Sequence, residues 1–298
     1  MDFSFYRTVA AQGGVFSTAQ AQTTCSDADI RRLVANGRWR RTRWRGVLAD
    51  AECPQTPALV VRAALRAVGA DLVACHGTAA VLHGFDVLGS DTVHLLGPAS
   101  VANRSRPGIQ VHPSVQGTDD ALMVDGVWCT PPARTACDVV RSSPPIDGLA
   151  VLDAALRHGA CGAADLVAAA EAQAGLREVV RLRGLVPHVD GRAGSPMESR
   201  MRWRFIDGGL PAPEVQVRVA EGHRWREMDT AWRAARVGAE FDGLEAHMTA
   251  EQLRDDRRRH NWLTERRWTL LHFTAADVYR RPELMVAAAS RALRLPAR

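Results

Sequence analysis

Along the first fifty residues the apolar positions recur at helical spacing and then give way to short alternation. Ser26-Asp27-Ala28-Asp29 reads as a capping box with acids in the first turn, and Ile30, Leu33 and Val34 follow it as a stripe at i, i+3 and i+4. Asn36-Gly37 ends that helix. Ahead of it, a short helix over 4–12 stops at Gly13-Gly14, and another starts after Val15-Phe16 with Ser17 or Thr18 as its N-cap. Behind it, 38–44 and 45–48 read as two short strands joined by a tight turn. The pattern then predicts helices at 57–69 and 77–84, strands at 92–96, 109–112 and 122–129, and a helix beginning over 135–141. Two alanine-rich helices follow near 147–158 and 163–173.

A change of texture comes at 187–194, where Pro, Asp and two Gly read as a linker. Ser195-Pro196-Met197-Glu198 then opens a helix with Ser as N-cap, Pro at the first position and Glu at the third, and Gly208-Gly209 closes it. Strands are predicted at 214–219, 225–232 and 236–242, then a polar helix at 249–266, a strand at 268–273 and a closing helix. With the turn of the 225–242 hairpin centred on Ala234-Ala235, Trp232 faces Val237, Thr230 faces Ala239 and Met228 faces Phe241, making one mainly apolar face. The other face pairs Asp229 with Glu240 and Glu227 with Asp242. Directly opposed side chains lie about 4.5–5.5 Å apart at Cβ, and like charges so placed destabilise a sheet. Four carboxylates on one patch therefore need protonation, nearby arginines or a bound cation, and hard divalent ions take oxygen ligands. Asp229, Glu240 and Asp242 are the expected metal ligands, with Mg2+ or Mn2+ as the cofactor.

Charge sharpens this picture. All 38 basic residues are arginine, so no chemistry here can use a lysine. Residues 1–50 carry 8 Arg and 4 acids, 51–190 carry 10 and 14, and 191–298 carry 20 and 15, so two basic ends flank an acidic middle. From 31 to 49 there are seven arginines and no acid: Arg31, Arg32, Arg38, Arg40, Arg41, Arg43 and Arg45. Their planar forks suit phosphate. Three small helices followed by a basic hairpin is the order of a winged helix-turn-helix, and these seven are the expected contacts to double-stranded DNA. Trp39 and Trp44 are expected to anchor the hairpin rather than stack on bases. The six cysteines are scattered with no C-x-x-C pair, which argues for free thiols in a reducing cytoplasm and against a disulfide framework or a zinc site built on cysteine pairs. His76, His83, His94 and His112 lack i, i+4 partners on one helix and are expected to be ordinary surface or core histidines. Neither a membrane span nor a leader is expected.

Two resemblances add to this. Gly-Gly-Val-Phe-Ser at 13–17, the Ile30-Arg31-Arg32 helix and Gly37-Arg38-Trp39-Arg40-Arg41 leading to Arg45-Gly46-Val47 resemble the N-terminal domain of AbiEi-family antitoxins, continuing loosely through His76-Gly77-Thr78-Ala79-Ala80 and Leu82-His83-Gly84. That resemblance implies DNA binding and a cognate toxin protein as partner. Glu198, Asp229 in Met-Asp-Thr-Ala-Trp, Glu240-Phe-Asp-Gly and His247 resemble the very-short-patch-repair-like (Vsr-like) branch of the PD-(D/E)xK nucleases over about 195–293. It implies a four-stranded mixed sheet and magnesium-dependent phosphodiester hydrolysis, with Asp229 and Glu240 holding the metal, Glu198 supporting it and His247 moving a proton. The superfamily's lysine position is occupied by Asp242.

The sequence thus predicts an α+β protein in three parts: a winged helix-turn-helix over 1–52, an α+β middle domain over 53–190, and a restriction-endonuclease-like mixed sheet flanked by helices over 191–298. The expected function is a DNA-binding protein with a Vsr-like nuclease domain and no small-molecule cofactor. Its alternative is an AbiEi-like antitoxin or transcriptional repressor whose nuclease fold is inactive.

Overall fold

The computed structural model describes residues 3–243, 258 and 260–294. Among the described residues it is a mixed α+β structure with three separate sheets. By internal contacts the chain parts into two compact units, Met1–Asp138 and Val139–Arg298.

The first unit opens with α1 (Phe3–Ala11), β1 (Val15–Ser17), α2 (Thr18–Gln22), α3 (Asp27–Ala35), β2 (Trp39–Arg41) and β3 (Val47–Asp50). Both expected helix starts are capping boxes: Ser17 with Gln20, and Ser26 with Asp29. Val15–Ser17 was expected only as a lead-in to α2. It pairs antiparallel with Val47–Ala49, giving a three-stranded sheet in the order β1-β3-β2. Phe5, Phe16 and Trp39 fill the small core under α1–α3, with Phe16 edge-on to Phe5 at 5.2 Å and to Trp39 at 4.8 Å.

The rest of this unit holds α4 (Pro57–Val68), β4 (Val73–Ala74), α5 (His76–Leu82), β5 (Val93–Gly97), β6 (Ile109–Pro113), β7 (Leu122–Val124) and β8 (Val127–Cys129). Its five strands run in the order β6-β5-β4-β8-β7. The single strand expected over 122–129 is a hairpin. Asp125 and Gly126 take positive φ values of 47° and 73°, the left-handed pair that a tight two-residue turn requires. One apolar core unites the unit: Val15, Trp44, Val47 and Ala49 pack in the same cluster as Leu59, Val61 and Ala64 of α4 and Leu95, Ile109 and Val111 of the five-stranded sheet.

Five helices follow: α6 (Pro132–Ser142), α7 (Gly148–Arg157), α8 (Ala163–Ala172), α9 (Val179–Leu185) and α10 (Pro196–Asp207). The stretch expected as a linker is tied down within the second unit. The Asp190 N–H donates to Asp153 at 2.7 Å, Arg157 donates to the Ala193 carbonyl at 2.8 Å, and Ala193 is buried. Across the same seam Arg202 of α10 meets Asp153 of α7 at 2.8 Å, both side chains almost without exposure. The second unit's sheet has β9 (Glu214–Glu221), β10 (Arg224–Trp232), β11 (Val237–Phe241) and β12 (Thr269–Phe273) in the order β12-β11-β10-β9. It is antiparallel except between β11 and β12. The helices Ala275–Arg280 and Pro282–Ala292 close the chain. Met201 and Phe205 of α10 pack with Trp232, Val237, Phe273 and Met285 as its core. Among the described residues no helix is long and apolar enough to cross a membrane.

Candidate functional site

Three groups of residues carry chemistry. The first is the arginine set on α3 and the β2–β3 hairpin, and the structure sorts it in two. Arg40 donates to the carbonyls of Ala51 and Cys53, while Arg43 donates to the Asp91 carbonyl and lies 5.3 Å from the Trp44 ring. These two arginines hold the hairpin against its own unit. Arg32 is exposed and paired with Asp29 at 2.8 Å. Arg31, Arg38, Arg41 and Arg45 are exposed, and their guanidinium groups have no partner among the described residues. Trp44 is buried and donates its indole N–H to the Pro107 carbonyl at 3.3 Å, and Trp39 is buried under α1, so both tryptophans are anchors.

The second group is the carboxylate patch. The β10–β11 register has Trp232 opposite Val237 and Thr230 opposite Ala239, as expected from the turn. One residue further, Asp229 accepts the Phe241 N–H through its side chain at 2.8 Å, and Glu240 is only 6% exposed. The other expected pair, Glu227 with Asp242, lies beyond the β10–β11 partners, which run from Trp232–Val237 to Thr230–Ala239. Glu227 sits opposite Arg218 of β9, and Asp242 turns to His272 of β12, Nδ1 to Oδ1 at 3.1 Å. Glu198 on α10 accepts the Gly194 N–H and the Gln216 amide, each at 2.8 Å. Gln216 takes a positive φ of 51°, between Val217 opposite Met228 and Val215 opposite Thr230 in the β9–β10 register. Glu198 is thus tied through Gln216 to the stretch of sheet that also holds Asp229, and His272 stands opposite Glu240 in the parallel register of β11 and β12. His272 was not a candidate from sequence, because only that long-range pairing brings it there. His247 lies outside the described residues.

The third group was set aside at the level of sequence. Cys75, His76 and His112 offer ligand atoms within 4.8 Å of one another, the one such group of three among the described residues. Cys75 Sγ is 3.2 Å from His76 Nδ1, and His112 Nε2 is 2.9 Å from His94 Nδ1. The His76 and His112 rings stack at 4.3 Å. Burial pushes the Cys75 thiol well up, and burial, then the neighbouring His94, lowers His112 to about 4. Asp229, Glu240 and Asp242 do not assemble a comparable group of three among the described residues.

Two proteins of Mycobacterium tuberculosis, the uncharacterized protein Rv2248 of strain H37Rv and the uncharacterized protein MT2308 of strain CDC 1551, are each 39% identical to this chain over 254 residues, covering 84% of it and 91% of their own length. The chain belongs to their family. Residues 72–188 of this family member match the AbiEi antitoxin C-terminal domain. The antitoxin likeness was expected mainly over residues 13–47, as an N-terminal domain, and the match lies downstream of it. Only the looser part of that expectation, His76 to Gly84, falls inside. The match also lies outside residues 195–293, where the nuclease likeness was drawn, and the third group of residues falls wholly within it.

Proposed function

We propose that the protein is an AbiEi-like antitoxin that also represses transcription, binding double-stranded DNA through a winged helix-turn-helix over its first fifty residues and a cognate toxin protein through the rest. The observation that carries this reading is the antitoxin-domain match over residues 72–188. The exposed arginines of α3 and the β2–β3 hairpin support the DNA half, because unpaired guanidinium groups release condensed counterions when they meet phosphate. The test is co-expression of the full chain with each flanking open reading frame in a host that lacks both. Growth arrest by one neighbour and its relief by this chain is the expected result. Absence of any neighbour whose toxicity the chain relieves would refute the antitoxin half. Loss of all binding to its own promoter duplex at low salt would refute the repressor half.

A second reading is kept for one observation, the Glu198–Gln216 hydrogen bond in the same stretch of sheet as Asp229. In it the second unit is a Vsr-like nuclease fold that hydrolyses phosphodiesters with Mg2+ or Mn2+. These two acids already spend oxygens on N–H donors, and Asp242 is turned to His272, so the described side chains fit a divalent ion poorly. Metal-dependent nicking of mixed DNA substrates that is lost in Asp229→Asn would promote this reading over the first.

A further inference from the structure

The strongest unassigned chemistry in the molecule is the cysteine–histidine cluster where α5, β5 and β6 meet. Cys75 and His76 stand at the start of α5, and the Cys75 side chain makes no capping hydrogen bond. His76 has a positive φ of 49°, a left-handed conformation that strains a non-glycine residue. Such strain gathers at ligand sites. Here it accompanies two consecutive side chains turned toward one point, leaving Sγ and Nδ1 3.2 Å apart. His112 reaches the same point from β6, across the parallel β5–β6 register. Behind it His94 holds His112 by a ring-to-ring hydrogen bond of 2.9 Å.

We propose that Cys75, His76 and His112 bind one zinc ion, with His94 as the outer partner that orients His112. The spacing suits the ion. Zn–S near 2.3 Å and Zn–N near 2.0–2.1 Å at a tetrahedral angle separate sulfur from nitrogen by about 3.5 Å. The donor set suits it too, since thiolate and imidazole are the ligands of a borderline ion and no carboxylate is among the three. The Cys75 side chain is buried and the two rings are half-buried. Binding releases the Cys75 proton to solvent, and the resulting thiolate is neutralised by the ion. The His94–His112 bond takes the place of the carboxylate or carbonyl that supports a metal-bound imidazole, fixing which ring nitrogen carries the proton. The site lies within the antitoxin-domain match but does not depend on the antitoxin reading.

The test uses the full chain without a polyhistidine tag, stripped with chelator and reloaded with zinc for elemental analysis, or with cobalt for absorption spectroscopy. One equivalent of zinc per chain is expected, with the thiolate-to-cobalt charge-transfer band and strong visible bands of tetrahedral cobalt. Cys75→Ser and His112→Gln should each abolish the charge-transfer band or the stoichiometric zinc while keeping the far-ultraviolet circular dichroism of the parent. His94→Gln should weaken affinity by about 10–100-fold, as for lost outer-shell partners. Cys161→Ser, remote in sequence and in the other unit, is the control and should change nothing. A folded parent with neither stoichiometric zinc nor a thiolate–cobalt band overturns the site. So does a band that survives in both folded ligand variants, or that disappears in Cys161→Ser. Should Cys75→Ser fail to fold, His112→Gln and His94→Gln decide by the same two readouts.

Discussion

Replacing Arg202 by Met should unfold the second unit several degrees early, and the structure gives the size of the loss. Arg202 and Asp153 meet at 2.8 Å with side-chain exposures of 4% and 0%. Asp153 also accepts the Asp190 N–H at 2.7 Å, so this carboxylate pins the 190–194 turn as well as α10. Burial lifts its pKa, and Arg202 with the hydrogen bonds pulls it only part of the way back. Removing one partner of a buried pair costs about 3–5 kcal/mol, because the other charge stays behind uncompensated. In a unit of this size each kcal/mol moves the midpoint by about 2–4 °C, so the loss is about 6–20 °C. Since the Asp153 pKa is raised on folding, the ionised form is what costs, and that cost is absent at low pH and grows as pH rises through the folded pKa. The Arg202→Met penalty should therefore shrink on acidification, as a protonated Asp153 needs no counter-charge. Asp153→Leu with Arg202→Met should recover about 0.5–3 kcal/mol relative to the sum of the single changes. Recovery stays incomplete, because the Asp190 N–H is left buried without its acceptor. Urea and thermal unfolding followed by tryptophan fluorescence measure all three variants. A single-variant loss under about 1 kcal/mol, or strict additivity in the double variant, refutes the claim that this pair holds α7 to α10.

Two further outcomes are expected. Arg31, Arg41 and Arg45 changed together to Ala should reduce the slope of log affinity against log salt for duplex DNA by about 2–3, read by fluorescence anisotropy, whereas Arg43→Ala should act mainly on the thermal midpoint. Asp277 accepts the Thr274 N–H at 2.9 Å and its hydroxyl at 2.7 Å, bonds that hold its carboxyl below the usual value. Its stabilisation is thus complete above the unfolded carboxyl pKa near 3.9 and fades as pH falls through the folded one, so Asp277→Asn should flatten part of the acid limb of a stability–pH curve.

What the sequence disclosed was local. The Ser26–Asp29 box and the β10–β11 register rest on contacts within a few residues or one turn, and both are present. The Asp125-Gly126 turn was also written in the chain, but Leu-Met-Val before it and Val-Trp-Cys after it read as one continuous apolar run. The third group of residues was hidden for a different reason. Cys75 and His76 are neighbours, but His94 and His112 arrive from two further strands, and no periodicity announces a parallel β5–β6 pairing. Likewise Arg218, opposite Glu227, and His272, against Asp242, belong to strands outside the hairpin, so the hairpin pattern alone signals neither. The glycines and proline of 187–194 looked like slack chain, since nothing in them signals the acceptor on Asp153 that takes the Asp190 N–H.

The seam of Val15, Trp44, Val47 and Ala49 against α4 and the five-stranded sheet bears on how this chain can be cut. A fragment ending near residue 52 would keep its arginines but bare that apolar strip to water, and Trp44 and Arg43 would lose the carbonyls of Pro107 and Asp91. Its failure to bind DNA would report collapse, not the absence of a recognition surface. The compact unit to which that strip belongs runs to Asp138. Within that unit, whatever grips the five-stranded sheet leans on the same packed residues that hold the basic hairpin in place.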